Sequence, residues 1–284
     1  MEILVAKTAG FCFGVRRAME MVENALGQEK CSLHSLGPLI HNPRVVTELE
    51  ERGLRTVSSL EQVPLGRVVI RSHGVGPSVY QAAREKKLEI IDATCPFVKN
   101  VQQLAVFLHT EGYQVIIIGE PEHAEVKGVL DSVSGEALVI ENVKDLNTVQ
   151  ILPKVGVISQ TTQDIFNFQQ ITNAIIPYIK EIRIYNTICL ATSQRQQEVA
   201  KLSLEVDLMI VVGGKNSANT SRLTEISRMN GTPTYQIESA EEIDEAWFQG
   251  IEKAGITAGA STPDQQINEI IQKLTYLGGK ITNE

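Results

Sequence analysis

A cysteine followed by a helical pattern stands about a third of the way along the chain: Cys95-Pro96-Phe97-Val98-Lys99-Asn100-Val101-Gln102-Gln103-Leu104-Ala105-Val106-Phe107-Leu108. Its apolar residues recur at helical spacing, and proline is tolerated in the first turn of a helix. A short apolar run that ends in glycine follows at 115–119. The stretch therefore predicts a helix that begins just after Cys95 and leads into a buried strand.

The same order of features occurs two more times, after Cys12 and after Cys189. Each predicted helix leads to an apolar strand that ends in glycine, at 33–37, 115–119 and 209–213. A second helix follows in each unit, at 45–52, 126–130 and 221–229, and then a short strand with an acidic turn, at 56–61, 138–145 and 235–242. One further strand closes each unit, at 68–73, 155–162 and 256–261. Helices that alternate with short apolar strands predict parallel sheets with right-handed crossovers. We expect an α/β protein of three pseudo-threefold-related units, at 1–96, 97–190 and 191–284, the last including a C-terminal tail.

Polar side chains follow the predicted strands at equivalent positions in the three units. His41, His123 and Ser217 each stand four residues after the glycine, and a second set lies at the ends of the later strands: His73, Thr161 and Ser261. Ligand groups in parallel sheets come from the carboxyl ends of strands and the loops after them. If the units pack around a common axis, three thiols and these polar groups meet in one place.

Three thiolates in register, without a fourth, suit either an iron–sulfur cluster with one iron that lacks a cysteine ligand or a three-thiolate zinc site. An open iron can polarise a substrate oxygen and pass electrons to it. Taken singly, each cysteine also fits an inert core thiol, but their shared position favours a common ligand role. Cys31 lies outside the register and fits an ordinary core residue.

The other polar residues indicate an anionic substrate. The hydrogen-bond donors at or just before predicted helix starts are His41, His73, Ser217, Asn219 and Ser261. Helix N-termini attract anions, so a phosphate or diphosphate fits this set, although single histidines at strand ends are often structural. Glu125, two residues from His123, is placed to deliver a proton to a leaving hydroxyl with Thr161 orienting it; the alternative is a solvated loop acid or a residue in the first turn of a helix. His34, in a predicted strand, and His109, near a helix end, fit structural roles.

Composition limits the remaining classes of function. The chain has 284 residues, 43% of them hydrophobic, and a formal net charge of −8. Without a basic excess it is a poor nucleic-acid binder, and its apolar runs are too short to span a bilayer. No P-loop or dinucleotide fingerprint is evident, and the N-terminus reads as a strand. We expect a cytoplasmic protein without nucleic-acid or membrane partners.

With these features in place, the chain resembles the family of 4-hydroxy-3-methylbut-2-enyl diphosphate reductases, the IspH/LytB family. The resemblance covers nearly the whole chain and rests on nine spaced motifs at residues 9–15, 37–42, 70–75, 92–96, 123–126, 159–162, 186–192, 213–220 and 259–263. It implies a trefoil of three α/β units around a central [4Fe–4S] cluster. Cys12, Cys95 and Cys189 would hold that cluster, with one iron not ligated by protein.

The resemblance also implies the reaction and the roles of the other residues. Two electrons and two protons would remove the allylic hydroxyl of the substrate, giving isopentenyl and dimethylallyl diphosphate, the last step of the methylerythritol phosphate pathway. Substrate contacts would come from His41, His73, His123, Thr161, Thr162, Ser217, Ala218, Asn219 and Ser261, with Thr192 close by. Glu125, Thr161 and His123 would be catalytic. Some relatives carry a second serine where Ala218 stands, which removes one phosphate donor.

The chain shows no flavin or nicotinamide motif, so a ferredoxin or flavodoxin would supply the electrons. The main alternative is a non-redox hydro-lyase that acts on a phosphorylated alcohol and uses the open iron as a Lewis acid only. An iron–sulfur sensor and a three-thiolate zinc enzyme also agree with the ligand count.

Overall fold

The computed structural model describes residues 1–28 and 32–282, so that Cys31 lies outside the described residues. Within those ranges the strands are β1 (Glu2–Val5), β2 (Leu33–Leu36), β3 (Leu54–Val57), β4 (Arg67–Ile70), β5 (Glu89–Asp92), β6 (Gln114–Ile118), β7 (Ala137–Ile140), β8 (Lys154–Ser159), β9 (Glu181–Ile184), β10 (Leu208–Val212), β11 (Thr234–Ile237), β12 (Lys253–Ala258) and β13 (Lys280–Ile281). The α-helices are α1 (Phe13–Leu26), α2 (Pro43–Glu51), α3 (Pro77–Glu85), α4 (Pro96–Thr110), α5 (Ala124–Ser132), α6 (Ile165–Ile175), α7 (Leu190–Leu202), α8 (Ala218–Met229) and α9 (Asp264–Tyr276).

The strands form three small parallel sheets, as expected for this α/β protein. Sheet I has the order β3-β2-β4-β5 and sheet II the order β7-β6-β8-β9. Sheet III has the order β11-β10-β12-β1-β13. The first three strands in each of these spatial orders therefore take equivalent positions.

The N-terminal strand completes the pattern of sheet III. β1 pairs with β12, so that it holds the position that β5 and β9 hold in the other two sheets. Each of these fourth strands leads into one cysteine: β5 into Cys95, β9 into Cys189 and β1 into Cys12. Each sequence repeat that begins at a cysteine therefore starts after the fourth strand of one sheet and continues into the strands of the next sheet.

Continuous apolar runs form the core strands because parallel strands are buried on both faces. Val115 and the three isoleucines that follow in β6 are fully buried. Helix α4 packs over β6 and β8 with Val101, Ala105 and Leu108. Gly156 in β8 gives α4 its space, since a Cβ atom there would lie 2.6 Å from Leu108 Cδ2.

The contacts divide the chain into two compact units. The first contains residues 1–15, 41–45 and from 190 onward and therefore holds sheet III; the second contains residues 16–40 and 46–189 and holds sheets I and II. The division at residues 96 and 190 expected from the sequence stays a prediction.

The predicted elements occur, with shifted ends. The later strands stop at Ile70, Ser159 and Ala258, before the polar residues that the sequence pattern placed at the ends of longer strands. The second helices begin earlier than predicted, at Pro43, Ala124 and Ala218. Both shifts place the polar side chains in loops and first helical turns at the carboxyl edges of the sheets. None of the helices in the described ranges has the length and apolar character needed to cross a membrane.

Candidate active site

The three cysteines share one backbone environment. Each stands just before a helix, and each backbone N–H donates to a carbonyl oxygen two residues beyond the third strand of a sheet. The pairs are Cys12 with Ala260 at 3.1 Å, Cys95 with Ser72 at 2.9 Å and Cys189 with Thr161 at 3.0 Å. Two residues separate β5 from Cys95, four separate β9 from Cys189, and six separate β1 from Cys12. The same hydrogen bond therefore fixes each cysteine although the preceding loops differ in length.

The thiols have the chemistry of metal ligands. All three are partly exposed thiols that form no disulfide bond, and each stands at a helix N-terminus. In the first unit, Val15 N–H lies 3.5 Å from Cys12 Sγ and donates to it. Thiolates of this kind are the usual ligands of iron–sulfur clusters, so the donor set fits such a group.

Glu125 is buried against Thr161 in the second unit. It lies in the first turn of α5, has a relative exposure of only 2%, and accepts hydrogen bonds from Thr161 N–H (2.6 Å) and from the Thr161 hydroxyl (2.7 Å). The burial excludes the alternative of a solvated loop acid. Burial raises the pKa of Glu125 to about 7, although both hydrogen bonds from Thr161 oppose this shift. A carboxyl group with such a pKa is half protonated near neutral pH and is suited to proton transfer.

His123 precedes this acid and caps the same helix. Its Nδ1 atom accepts a hydrogen bond from the Glu125 N–H at 3.2 Å. In the neutral imidazole the proton is therefore on Nε2, which is the donor that an anionic substrate requires. The ring meets the His73 ring edge-on, with centroids 5.6 Å apart.

These contacts form a continuous chain through the second unit. Cys189 bonds to Thr161, Thr161 to Glu125, and Glu125 to His123, which touches His73. The residue before His73 is Ser72, whose carbonyl holds Cys95. Two predicted cluster ligands and four predicted catalytic or substrate-binding residues thus belong to one network.

Gln160 is a site residue to which the sequence analysis assigned no role. Its side chain is buried, donates from Nε2 to Thr162 Oγ1 at 2.8 Å and accepts from Glu120 N–H at 3.0 Å. It joins the loop after β8 to the loop that leads to His123. In the sequence, the run of polar residues at 159–162 was the feature that could have indicated this role. The partners of Gln160 could not be predicted, because they depend on the pairing of β6 with β8.

His41 and Ser261 lie together in the compact unit that contains sheet III. Ser261 Oγ donates to the His41 carbonyl oxygen at 3.0 Å, and Asn42 Nδ2 donates to the Ser261 carbonyl at 3.0 Å. Gly214 passes so close that a Cβ atom there would lie 2.6 Å from the His41 carbonyl oxygen. This close approach therefore requires a glycine at position 214.

The start of α8 carries the other predicted anion ligands. Ser217 is the N-cap residue, and its Oγ accepts from Thr220 N–H at 3.3 Å. Asn219 is 5% exposed, and neither atom of its side-chain amide has a hydrogen-bond partner within the described residues. Buried amides are normally paired, so this one fits a ligand contact. Ala218, between them, is partly buried and has no side-chain donor.

The remaining predicted residues have other surroundings. Thr162 contacts Gln160, as described, and Thr192 is buried within α7. His34 is buried inside β2, and His109 lies in the last turn of α4 with its Nε2 atom 3.8 Å from Glu136. Both of these histidines agree with the structural roles expected for them.

Comparisons with known proteins agree with this arrangement. The family described as "LytB protein" matches residues 3–275. A protein from Syntrophotalea carbinolica named 4-hydroxy-3-methylbut-2-enyl diphosphate reductase is 44% identical over 97% of this chain and 99% of its own length. The structure of the Plasmodium falciparum E-1-hydroxy-2-methyl-but-2-enyl-4-diphosphate reductase has a TM-score of 0.94 at 30% identity, covering 99% of this chain and 91% of that one.

A second solved structure carries a title that also names a pathway. The structure of (E)-4-hydroxy-3-methyl-but-2-enyl diphosphate reductase, "the terminal enzyme of the non-mevalonate pathway", has a TM-score of 0.72 at 42% identity. It covers 97% of this chain and 100% of that one.

Proposed function

The chain belongs to the LytB protein family, and we propose that it is the reductase that converts (E)-4-hydroxy-3-methylbut-2-enyl diphosphate into isopentenyl and dimethylallyl diphosphate. This is the last step of the methylerythritol phosphate pathway. The observation that carries the proposal is the buried Glu125–Thr161 pair within the network that joins Cys189 to Cys95. An acid with a pKa near 7, joined through Thr161 to the backbone of a proposed thiol ligand, is suited to a reaction that needs protons and electrons together.

Three thiols would hold a [4Fe–4S] cluster with one iron not ligated by protein: Cys12, Cys95 and Cys189. The support comes from their shared backbone hydrogen bond, their partly exposed thiols, which form no disulfide bond, and their place before helices. When bound, the cluster supplies two electrons and a Lewis-acidic iron for cleavage of the allylic C–O bond. A ferredoxin or flavodoxin would reduce it, and the protein would act in the cytoplasm.

Glu125 would provide the proton that turns the leaving hydroxyl into water. Hydroxide is a poor leaving group, so a proton delivered at that oxygen lowers the barrier. The Thr161 hydroxyl touches the acid and would hold the substrate hydroxyl beside it. His123 Nδ1 accepts the Glu125 N–H, so that Nε2–H would be the donor that the neutral ring offers to the substrate.

The diphosphate would be held by neutral donors and helix ends: His41, His73, His123, Ser217, Asn219 and Ser261, with Thr162 alongside. Asn219 gives the most direct support, because its buried amide has no partner among the described residues. An anchored diphosphate restricts the allyl group to one place, which lowers the entropic cost of reaction.

The test is anaerobic purification followed by iron and sulfide analysis and an assay with the substrate and a reduced viologen dye. We expect both products to appear only with the reductant. Turnover without it would instead indicate the non-redox hydro-lyase, and zinc in place of iron and sulfide would refute the cluster. Glu125→Gln should lower turnover about 10²–10⁴-fold with the cluster intact, whereas Glu122→Gln, at an exposed acid in the same loop, should keep it.

A further inference from the structure

Arg71 lies beside Gly37 at the carboxyl edge of sheet I. Strand β2 pairs with β4 so that Leu36 stands opposite Ile70, and the next residue of each strand is Gly37 or Arg71. Gly37 has a φ of +77°, and a Cβ atom there would lie 2.6 Å from Arg71 Nη1. The guanidinium group therefore lies directly against the backbone of Gly37, in space that only glycine leaves open.

The positive charge of Arg71 is not compensated within the described residues. Its Nε atom is buried without a hydrogen-bond partner, and the guanidinium forms no ion pair within 4.0 Å in residues 1–28 and 32–282. Burial lowers the pKa of the group, and no neighbouring carboxylate offsets this effect. The isolation is unexpected in a chain with 34 acidic and 26 basic residues.

The equivalent position in sheet II carries a side chain whose polar atoms form hydrogen bonds within the protein. Ile118 stands opposite Ser159, so Gly119 and Gln160 hold the positions of Gly37 and Arg71. Gln160 bonds both to Glu120 N–H and to Thr162 Oγ1. In sheet III the same position is Gly259, which has no side chain. Of the three positions, Arg71 alone brings a charge.

The partners that satisfy Gln160 differ in sheet I. Glu120 follows Gly119, whereas Pro38 follows Gly37, and proline has no N–H to donate. The side chain at position 71 therefore has no N–H of residue 38 to accept, and arginine, which has only donors, fits this position. Two residues beyond Gln160 is Thr162, and two residues beyond Arg71 is His73. The side chain thus belongs to the part of sheet I that carries a proposed substrate ligand.

An unpaired charge that is largely withdrawn from water is costly, and such groups are normally paired or bind a ligand. The diphosphate carries several negative charges, whereas the proposed ligands on histidine, serine and asparagine are neutral or weakly basic. We propose that Arg71 binds the diphosphate of the substrate and supplies the permanent positive charge that these ligands lack. This inference rests on the proposed function, since it names a further residue for the same substrate.

Inorganic pyrophosphate is the probe for this assignment. Its dissociation constant for the anaerobic holoprotein is measured by calorimetry for the wild type, Arg71→Gln, Arg71→Lys and the control Arg55→Gln. Arg55 lies in β3 of the same sheet and is exposed. Its variant therefore removes one positive charge, as Arg71→Gln does, but not from the carboxyl edge of the sheet. Circular dichroism and iron content confirm that each variant folds and retains its cluster.

We expect Arg71→Gln to weaken pyrophosphate binding about tenfold or more, the effect of losing a charge-assisted hydrogen bond. Arg71→Lys should fall between this variant and the wild type, since it keeps the charge but loses the planar fork. Affinity should also depend less steeply on salt in Arg71→Gln, and Arg55→Gln should bind as the wild type does. If Arg71→Gln does not fold, the Arg71→Lys affinity decides the matter.

Wild-type affinity in the folded Arg71 variants, or equal weakening in Arg55→Gln, would overturn the assignment. Turnover of the allylic substrate by the wild type tests the proposed function separately. A chain that turns the substrate over while Arg71→Gln retains its KM and its pyrophosphate affinity would refute the inference alone. A wild type that binds pyrophosphate through Arg71 without turnover would refute the proposed function alone.

Discussion

Thr161 donates two hydrogen bonds to the Glu125 carboxyl, one from its backbone N–H at 2.6 Å and one from its hydroxyl at 2.7 Å. The same residue accepts the backbone N–H of Cys189 through its carbonyl oxygen. Thr161 therefore fixes the position of a proposed proton donor relative to a proposed cluster ligand. A small movement of this residue would disturb both.

The first prediction concerns the pH dependence of turnover. Burial raises the pKa of Glu125 to about 7, so the acid is protonated below this pH and ionised above it. If the protonated form is required, kcat/KM should be constant below pH 7 and fall about tenfold for each pH unit above it. Glu125→Gln should lower kcat about 10²–10⁴-fold and remove this descending limb from any residual activity. An unchanged limb in Glu125→Gln would assign it to another group, and Glu122→Gln should reproduce the wild-type profile.

The second prediction separates the hydroxyl of Thr161 from its backbone. The hydrogen bond from this hydroxyl lowers the pKa of Glu125, so its removal in Thr161→Val should raise that pKa. The descending limb should move to higher pH by about one unit, which corresponds to a hydrogen bond of about 1.4 kcal/mol. Thr161→Ser keeps the hydroxyl and should leave the limb in place. A limb that does not move in Thr161→Val would show that the hydroxyl does not set the acidity of Glu125.

The third prediction concerns the cluster ligands. Replacement of Cys12, Cys95 or Cys189 by serine should each lower iron from about four per chain toward zero, with a parallel loss of sulfide and visible absorption. The control is Cys31→Ser, at the cysteine outside the repeat, which should retain full iron and sulfide. A cysteine whose serine variant keeps the whole cluster is not a ligand.

The sequence contains enough information to predict the repeated part of the fold. The long apolar runs of β6 and β10 and the cysteine-to-helix junctions give the sheets and their equivalence. The strands β5 and β9 were missed, because Glu89–Asp92 and Glu181–Ile184 have only four residues and mix charged with apolar side chains. Helices α6 and α9 were also left out, although their buried isoleucines recur at helical spacing.

The features that depend on distant pairing could not be predicted. β1 joins β12, about 250 residues away in sequence, and no local pattern indicates that partner. The environment of Glu125 is similar, since its burial arises from contact with Thr161, 36 residues later. Gln160 and Arg71 hold equivalent positions in their sheets, but their different surroundings appear only when the registers of the strands are known.

The fourth prediction concerns the amide at the start of α8. Asn219→Ala should raise the KM of the diphosphate substrate about tenfold, because the buried amide has no partner among the described residues and would bind the ligand instead. Asn219→Asp should raise it further, since a carboxylate would repel the diphosphate. Asn147, which is exposed, provides the control, and its alanine variant should keep the wild-type KM. A normal KM in Asn219→Ala would remove this residue from the substrate contacts.

The fifth prediction tests the packing of α4, the helix that Cys95 precedes. A Cβ atom at Gly156 would lie 2.6, 2.8 and 2.9 Å from three carbon atoms of Leu108, so Gly156→Ala must displace that side chain within a closed core. We expect a loss of about 1–3 kcal/mol in the free energy of unfolding, measured by urea denaturation. Gly27→Ala is the control, because the nearest atom to its Cβ would be 3.6 Å away. Leu108→Ala in the Gly156→Ala background should cost less than Leu108→Ala alone, since the new methyl group fills part of the space that leucine leaves. Equal stability of Gly156→Ala and Gly27→Ala would mean that α4 can move away from β8 at little cost, and the position of Cys95 would then not depend on this contact.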